Sequence, residues 1–403
     1  MSRWPTKSLE EVCDINPKAT ASDSFDGTAK VTFVPMAAVD EVNGTIKRPE
    51  QRRYMEVAKG YTFFREDDVL FAKITPCMQN GKAAIARGLL NGKGFGSTEF
   101  HVLRPKASML PDWIFAFIRQ PEFRKAAQAS FTGSAGQQRV PTEFLKRSLI
   151  PVPPLPDQKR IVRLLDAADE LRRLRAEADR HTAVLIPALF HAMFGDPFAN
   201  PKGWEMRPMA SFVAELFGGR NVNPAGADEV SEGPRVLKIS SVTSGDFRPD
   251  ESKPIPAGYD PPISHFVREG DLLFSRANTT ELVGATAYVF HLQSRLLLPD
   301  KLWRFVWKEP RAVEPLFIQC LLQTSSVRRE LGKRATGTSG SMKNISKPKL
   351  MTLVVPVPPL ALQKVFVRKL NHLRELQTQQ AASRKDLEGL FQSMLHRAFN
   401  GEL

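Results

Sequence analysis

The sequence predicts an α+β fold in which two tandem mixed α/β domains are separated by two long helices. A proline-led segment of the pattern Pro-x-Pro-Pro-Leu-x-x-Gln-Lys occurs at 151–159 and again at 356–364. The two copies lie 205 residues apart (358 − 153), and their alignment extends without a gap to Phe194 and Phe399. Each copy leads into apolar residues at three- and four-residue spacing, which is typical of a coiled-coil helix. We therefore expect an antiparallel coiled coil and a pseudo-twofold internal repeat.

The repeat divides the chain into four parts. We expect the first mixed domain at 1–150, a central helix at 151–197, the second mixed domain at 198–355 and a C-terminal helix at 356–403. With 403 residues and 42% hydrophobic residues, the chain has room for two or three ordinary cores.

The charge balance points to a polyanionic partner. The formal net charge is +14 and the sequence pI is about 9.8, which favours nucleic acid, although such a balance can also serve solubility alone. The three cysteines have no paired spacing, so we expect neither a disulfide framework nor a zinc site. The N-terminus lacks an apolar signal core, and no run approaches the roughly 18 apolar residues of a membrane span. We expect a cytosolic protein without a membrane partner.

The two mixed domains share a framework of strands, one helical stretch and a glycine-rich loop. In the first domain, strand-like runs lie at 31–34 and 68–72, and a helix is predicted over 111–129. A Gly/Ser/Gln loop follows at 132–138. The second domain repeats this order at 271–276, from 315 to 328 and at 336–343, while the loops at 73–82 and 276–284 differ in composition.

The two long helices each carry an apolar seam that we expect to face the other helix. The seams have apolar ends and a polar middle, which would fix their register. The alternative is that each helix docks separately on its own domain. Pro187 predicts a kink in the last turns of the first helix. The predicted seam residues are Ile161, Leu164, Leu171, Leu185 and Leu189 in the first helix, and Phe366, Leu370, Leu373, Leu387, Leu390 and Met394 in the second.

Three short motifs resemble catalytic signatures but lack parts that the chemistry needs. The segment 260–263 reads Asp-Pro-Pro-Ile, whereas amino-group DNA methyltransferases need an aromatic fourth residue to stack a flipped base. The segment 249–253 holds acids and a lysine in one contiguous run, so its carboxylates cannot converge on a metal from two strands. The glycines at 92–96 lack the Gly-Lys-Ser/Thr step of a phosphate-binding loop. We predict no catalytic residues and no metal site.

Polar and basic residues instead crowd the corresponding loops of the two domains. Arg or Lys can read guanine and Asn or Gln can read adenine, while Ser, Thr and backbone amides contact phosphates. For any single residue, a solvated loop charge remains an equal alternative. The candidate DNA-binding residues are Lys73, Gln79, Asn80, Lys82, Arg87 and Arg139 in the first domain, and Arg276, Asn278, Thr279, Thr280 and Lys343 in the second.

These features together resemble the specificity subunits of type I restriction–modification enzymes over the whole chain. The resemblance is carried by the two proline-led segments, the Asp-x-Leu-Phe strands that end in Lys73 and Arg276, the stretch 74–82 and the ending 396–403. One departure is Pro156, which stands where family members often have an acidic residue and predicts a slightly later helix start.

The resemblance implies two target-recognition domains that each read half of an asymmetric, bipartite site in double-stranded DNA. It also implies that the helices set the spacing and dock two methyltransferase (modification) subunits, with restriction subunits joining through that core. S-adenosylmethionine, ATP and Mg²⁺ would belong to those partners. Three alternatives stay open at this point: a coiled-coil adaptor without sequence-specific DNA binding, a self-contained enzyme, and a solitary specificity subunit of a methylation-only or other defence complex.

Overall fold

The chain forms two compact units, and each unit joins one mixed α/β domain to parts of both long helices. Unit 1 comprises Met1–Ala178 and Gln380–Leu403, and unit 2 comprises Asp179–Gln379. The structure is a computed structural model that describes residues 4–134, 136–222, 233–256, 258–292, 294–309, 312–339 and 342–403. Residue 135 of the first glycine loop and residues 340 and 341 of the second therefore lie outside the described residues. Within the described ranges, no helix is long and apolar enough to cross a membrane.

Unit 1 contains two four-stranded sheets. Its strands are β1 (Thr6–Ser8), β2 (Cys13–Ile15), β3 (Lys30–Val34), β4 (Val39–Asp40), β5 (Thr45–Ile46), β6 (Glu50–Arg53), β7 (Thr62–Arg65), β8 (Val69–Ala72), β9 (Ala83–Ile85), β10 (Lys93–Gly96), β11 (Phe100–Pro105) and β12 (Leu149–Pro151). One sheet has the antiparallel order β2-β11-β8-β9, and the other has the order β6-β3-β10-β7 with β3 and β10 parallel. The helices are α1 (Leu9–Val12), α2 (Tyr54–Val57), α3 (Pro111–Ile118), α4 (Pro121–Ala129), α5 (Thr142–Arg147) and the start of α6 (Leu155–Ala183).

Strand β8 is apolar throughout because both of its faces are covered. Val69 and Phe71 belong to the cluster shared with α3 and α6, whereas Leu70 belongs to a second cluster on the other face. Alternate residues of a strand point to opposite faces, so a strand between two cores needs no polar positions. The framework strand predicted at 68–72 is therefore the centre of the first domain.

Unit 2 repeats this connectivity. Its strands are β13 (Met206–Pro208), β14 (Val213–Gly218), β15 (Arg235–Leu237), β16 (Ser252–Pro254), β17 (Leu272–Ser275), β18 (Ala277–Asn278), β19 (Thr286–Tyr288), β20 (Leu296–Leu297), β21 (Leu302–Trp307), β22 (Thr336–Ser339), β23 (Met342–Asn344) and β24 (Val354–Pro356). The antiparallel sheet β14-β21-β17-β19 matches β2-β11-β8-β9, and β16-β15-β20 matches β6-β3-β10 with the same parallel pair. The helices are α7 (Leu185–Phe194), α8 (Pro315–Gln323), α9 (Ser325–Arg334), α10 (Lys347–Met351) and the first part of α11 (Leu360–Asn400), whose remainder belongs to unit 1.

The helix predicted over 111–129 is two helices. The predicted apolar face is correct, since Trp113, Ile114, Phe117 and Ile118 are all buried. Gln120 has an extended backbone (ψ 139°), because the ring of a following proline disfavours helical backbone in the residue before it. The chain therefore stops after α3 and restarts at Pro121.

The prolines of the first long helix have unequal effects. Pro156 lies in the first turn of α6, where no helical partner exists for a backbone N–H, and the helix still starts at the position that corresponds to the start of α11. The later start predicted from Pro156 is wrong. Pro187 lies three residues after Val184, the turn at which the helix is interrupted between α6 and α7, as the kink prediction requires.

The inward face of the long helices differs from the predicted seam. Ile161, Phe366 and Leu370 are buried, and Leu189, Leu373, Leu387 and Met394 are half-buried. The prediction is wrong for four leucines that are 41–50% exposed: Leu164, Leu171, Leu185 and Leu390. The residue that follows each of the first two leucines in α6 faces inward instead. Leu165 follows Leu164 and is buried, and Arg172 follows Leu171 and is half-buried.

Arg172 occupies an inward position of α6, so the spacing of leucines alone predicts the wrong face of this helix. In unit 1 its guanidinium pairs with Glu388 at 2.6 Å and lies 4.3 Å from the ring centre of Phe391, so a charged residue occupies a seam position. In unit 2, Gln377 Nε2 donates to the Thr182 carbonyl at 3.1 Å, and Phe190 packs edge-on against Phe366. Residue numbers rise along one helix as they fall along the other, so the pairing is antiparallel within each unit.

Candidate nucleic-acid interface

In unit 1, the loop after β8 and the glycine loop are joined by backbone hydrogen bonds. Thr75 N donates to Gln138 O at 3.0 Å, and Val140 N donates to Lys73 O at 2.9 Å. The backbone of Arg139 forms isolated antiparallel β-bridges with Ile74 and with Thr132. Two segments separated by about sixty residues in sequence therefore form one surface, and the structure brings the predicted residues Lys73 and Arg139 together.

Lys73, Glu99 and Arg139 form a charged cluster on this surface. The Arg139 guanidinium donates two hydrogen bonds to the Glu99 carboxylate, at 2.9 and 2.8 Å, and this pairing lowers the pKa of Glu99 and raises the pKa of Arg139. Lys73 lies close enough to lower the pKa of Glu99 further. Within the described residues, the Lys73 ammonium has no hydrogen bond or ion pair of its own. The cluster thus keeps one uncompensated cation and one acceptor carboxylate.

The other first-domain candidates differ in how available they are. Gln79 and Asn80 are exposed, and their side-chain amides have no partner in the part of the chain that the structure describes. Lys82 instead points inward, with its ammonium on the carbonyls of Met36 and Val39 at 3.2 and 3.1 Å and on Glu41 at 3.4 Å. Its charge is already compensated within the domain.

Arg87 lies at the opposite end of the β8–β9 hairpin from Lys73. It binds Asp112 through a 2.7 Å contact and Asp67 at 3.3 Å, next to the turn that begins β8. The sequence placed Arg87 in the same loop as Lys73, but β9 carries the chain back along the sheet before Arg87 is reached. The structure therefore does not place Arg87 with the other candidates.

Unit 2 builds the equivalent surface as a three-stranded sheet. The order β18-β23-β22 joins the segment after β17 to the glycine loop, and Asn278 pairs with Lys343. Ile345 N donates to Arg276 O, and Arg276 N donates to Lys301 O. In unit 1, Lys73 makes the same two backbone bonds: its carbonyl accepts from Val140 N, and its N–H donates to Glu99 O. The structure thus brings the second-domain candidates to the corresponding place.

The side chains on the second surface are arranged differently. Arg276 donates to Asp300 O at 2.8 Å and to its carboxylate at 3.3 Å, and Lys343 donates to Gly337 O at 2.8 Å. Thr279 and Thr280 are exposed. Lys301 takes the backbone place of Glu99, and Asn344 takes that of Arg139. The two surfaces therefore present different donors and acceptors on one framework.

His101 supports the first surface from below and was not singled out from the sequence. Its Nε2 donates to Val140 O at 2.8 Å, which leaves Nδ1 to accept from Asn16 Nδ2 at 3.1 Å. Burial lowers the pKa of His101 to about 4, so the ring is neutral at pH 7. A lone histidine inside an apolar strand carries little signal, and only the fold shows that it fixes the end of the glycine loop.

The glutamine of each proline-led segment has a structural role that sequence reasoning also missed. Gln158 is fully buried; its Oε1 accepts from Leu110 N at 2.9 Å, and its Nε2 donates to Ser108 O and Pro153 O. Gln363 repeats this arrangement with Glu314 N. Leu110 and Glu314 cap the N-termini of α3 and α8, so each glutamine ties a long helix to its own domain. The sequence signal that could have revealed this role is the recurrence of the glutamine at the same position of both proline-led segments.

The acid that precedes each central strand is also structural. Asp68 is 1% exposed and accepts two hydrogen bonds from the Arg104 guanidinium, at 2.9 and 2.7 Å. Asp271 accepts from Arg304 at 3.2 Å in unit 2. These pairs lie on neighbouring strands of the central sheets, so the Asp-x-Leu-Phe pattern positions the strand that leads into the candidate surface.

Comparisons with known proteins match this architecture. A family model described as "Type I restriction modification DNA specificity domain" matches residues 1–179. The EcoEI type I restriction enzyme specificity subunit of Escherichia coli is 27% identical over 89% of this chain and 76% of that protein. The Escherichia coli EcoAI specificity subunit is 38% identical over 42% of this chain and 29% of that protein. The EcoKI specificity subunit of Escherichia coli strain K12 is 28% identical over 75% of this chain and 68% of that protein.

Solved structures agree on the fold. A chain from a structure of a type I restriction–modification system has a TM-score of 0.65 at 21% identity, over 99% of this chain and 98% of that one. The type I S subunit from M. genitalium has a TM-score of 0.54 at 11% identity, over 99% and 96% of the two chains. Sequence relatives, family model and fold point the same way: residues 1–179 match a type I restriction–modification DNA specificity domain, and most of the chain is similar to specificity subunits of type I restriction enzymes.

Proposed function

We propose that this protein is the non-catalytic DNA-recognition subunit of a type I restriction–modification complex and that each domain binds one half of a bipartite site. The observation that carries this proposal is the paired surface, in which the loop after the central strand meets the glycine loop in both units through the same backbone bonds. A net charge of +14 favours a polyanionic partner. Sequence is read by side chains at base edges, and each surface supplies amides and cations for that purpose.

The two half-sites differ under this proposal. The first surface carries Lys73 with the Arg139–Glu99 pair, and a carboxylate can accept a hydrogen bond from cytosine N4. The second carries Lys301 in the place of Glu99, and its carboxylate is instead that of Asp300, which pairs with Arg276. Because the two domains present different side chains on the same backbone framework, an asymmetric, split target is favoured over a palindrome.

The long helices set the spacing between the half-sites and form the antiparallel coiled coil. Support comes from the antiparallel pairing inside each unit and from the length of α11, whose 41 residues span about 60 Å at about 1.5 Å per residue. Half-sites read from one face of a duplex lie about one turn, roughly 34–36 Å, apart. Removing one heptad from both helices should shorten the preferred gap. An unchanged methylation motif after this deletion would argue against the spacing role.

The exposed leucines of α6 are the proposed docking surface for methyltransferase subunits. Leu164, Leu171 and Leu174 are 41–52% exposed, and with Ala167 they follow a three-four spacing outside the seam. A stripe of this kind fits a partner helix. S-adenosylmethionine, ATP and Mg²⁺ would then be bound by the two methyltransferase subunits and by restriction subunits. A complex without restriction subunits remains the second form of this proposal.

The direct test is DNA binding by the purified chain together with its methyltransferase subunits. Gel-shift and methyl-transfer assays on a bipartite site should show specific binding and methylation that depend on the chain. A protein that binds the methyltransferases but leaves DNA affinity unchanged would be a coiled-coil adaptor. Methyl transfer by the chain alone would make it an enzyme in its own right and would contradict the proposal.

A further inference from the structure

Both units place an arginine against a glycine at the end of the loop that follows the central strand. In unit 2 the pair is Arg328, the fourth residue of α9, and Gly284. In unit 1 it is Arg124, the fourth residue of α4, and Gly81. Both glycines have a positive φ, +80° and +83°, and a Cβ on them would lie 3.3 and 2.6 Å from the arginine Nη1. The contact therefore belongs to the framework that the repeat shares.

The two arginines differ in what they bind. Arg328 Nη2 donates to the Glu281 carbonyl at 2.5 Å. The Arg328 side chain is half-buried, and burial lowers its pKa, so it is not a solvated surface charge. The side chain of Arg124 makes no hydrogen bond or ion pair with the described residues. Within the described residues, then, the arginine bonds to the loop in unit 2 alone.

The corresponding loop of unit 1, residues 73–82, is held by its own backbone. Met78 N donates to Ile74 O at 2.9 Å, and Lys82 N donates to Cys77 O at 3.0 Å. These bonds join the two ends of the loop to its middle, so the loop needs no side chain from α4 to keep its shape.

The loop of unit 2 has less internal support at its tip. Residues 279–282 are exposed, and the backbone bonds inside this stretch run from Leu282 N and Val283 N to the Thr279 carbonyl, at 3.1 and 2.9 Å. In the part of the chain that the structure describes, the bond from Arg328 is the one hydrogen bond that joins the tip to a segment distant in sequence. Arg328 is therefore the external support of the tip.

The helix that carries this support is itself fixed in the core. Val327 and Leu331 of α9 are fully buried on either side of Arg328. The loop begins at strand β18, which includes Asn278, and ends at Val283, which is 1% exposed. Both ends of the loop are thus anchored, and α9 fixes the exposed stretch between them.

We propose that Arg328 is a positioning residue for the half-site that unit 2 reads. It holds the loop tip so that Asn278, Thr279 and Thr280 meet the DNA in one geometry, without a DNA contact of its own. Side chains that read bases require such support, because recognition depends on placement within a fraction of an ångström. This inference rests on the proposed function and adds to it a residue outside the DNA surface.

The experiment measures DNA binding by the full chain with its methyltransferase subunits. The duplexes carry the split motif obtained by methylation mapping, or that motif with one base pair changed in either half. Lys73→Met, which acts on unit 1, shows which half each unit reads. Arg328→Met removes the bond to the tip, so the preference for the correct unit 2 half should fall about tenfold or more. The preference for the other half should stay at the wild-type value.

A second variant reaches the same contact with the charge intact. In Gly284→Ala, the new Cβ would lie 2.9 Å from Leu331 Cδ1 and 3.3 Å from Arg328 Nη1, so the guanidinium and the loop must move apart. It should lower the same preference. Arg329→Met is the matched control, because Arg329 is exposed on the same helix and its side chain makes no hydrogen bond or ion pair with the described residues. It removes the same charge and should leave both preferences unchanged.

A loss confined to the unit 2 half in R328M and G284A, with R329M like the wild type, supports the inference. Equal discrimination by R328M and R329M overturns it. So does a uniform loss on all duplexes with a salt slope reduced by about 0.9, since Arg328 would then contact a phosphate directly. A loss of urea stability in R328M that matches its loss of binding also overturns it. If the wild-type complex shows no split motif, the proposed function fails and takes this inference with it, whereas a motif that R328M leaves intact overturns the inference alone.

Discussion

Lys73 and Lys82 offer a matched pair of substitutions, because one points to the proposed DNA surface and the other points inward. Lys73→Met removes a cation without a partner among the described residues. A contact from Lys73 to a base edge would be worth about 1–3 kcal/mol, so specific DNA affinity should fall about 5- to 150-fold. A phosphate contact would instead reduce the slope of log K against log salt by about 0.9. The free energy of unfolding should change little, because the Lys73 ammonium makes no hydrogen bond or ion pair with the described residues and loses only its attraction to Glu99.

Lys82→Met should do the opposite. It leaves the carbonyls of Met36 and Val39 and the carboxylate of Glu41 without their shared donor, at a site where the lysine side chain is 15% exposed. Contacts to a charged donor are worth about 1.5–3 kcal/mol each, and partial exposure reduces this, so we expect a loss of about 2–4 kcal/mol. Urea unfolding and salt-dependent DNA titrations measure both variants. If both variants lost the same DNA affinity and neither lost stability, the assignment of Lys73 to DNA contact and of Lys82 to internal support would be refuted.

Three further predictions follow from the contacts. Gln158→Leu should cost about 2–4 kcal/mol, because it leaves Leu110 N–H and two carbonyls unpaired; slower local exchange at α3 than in the wild type would contradict this. Leu171→Asp should reduce co-purification of methyltransferase subunits about tenfold or more at unchanged stability. Leu165→Asp, at a buried site, should instead unfold unit 1. If Leu171→Asp lost stability as Leu165→Asp does, or kept full co-purification, the docking surface would lie elsewhere. His101 has its pKa lowered to about 4, so the unfolded chain binds its proton more readily, and up to about 3 kcal/mol of stability should be lost as pH falls from about 6.5 to 4. His101→Phe should flatten that pH profile of urea unfolding, and an unchanged profile would assign the loss to other groups.

The sequence predicts the order of elements well because the repeat supplies two independent readings of each one. The central strands, the glycine loops and the proline-led helices recur in both halves, and their shared offset reveals the framework before any contact is known. The same comparison places Lys73 and Arg276 at equivalent positions, which the backbone bonds of the structure reproduce.

The helix face and the state of individual charges need the fold. Leu164 and Leu165 are adjacent residues of one type, and only packing decides that Leu165 is buried. Lys82 reads as a loop cation, yet its partners Met36 and Val39 lie more than forty residues earlier in the chain. Arg87 reads as part of the same loop, although a returning strand carries it to the far end of the sheet. Such contacts depend on long-range topology, which local patterns do not encode.

The central claim is that two unlike domains read two halves of one target. Long-read methylation mapping of DNA from cells that express this chain with its methyltransferase subunits tests it most directly. The account predicts a methylated motif made of two different half-sites separated by a fixed gap. A palindromic or uninterrupted motif, or a methylation pattern that is the same without this chain, would contradict it.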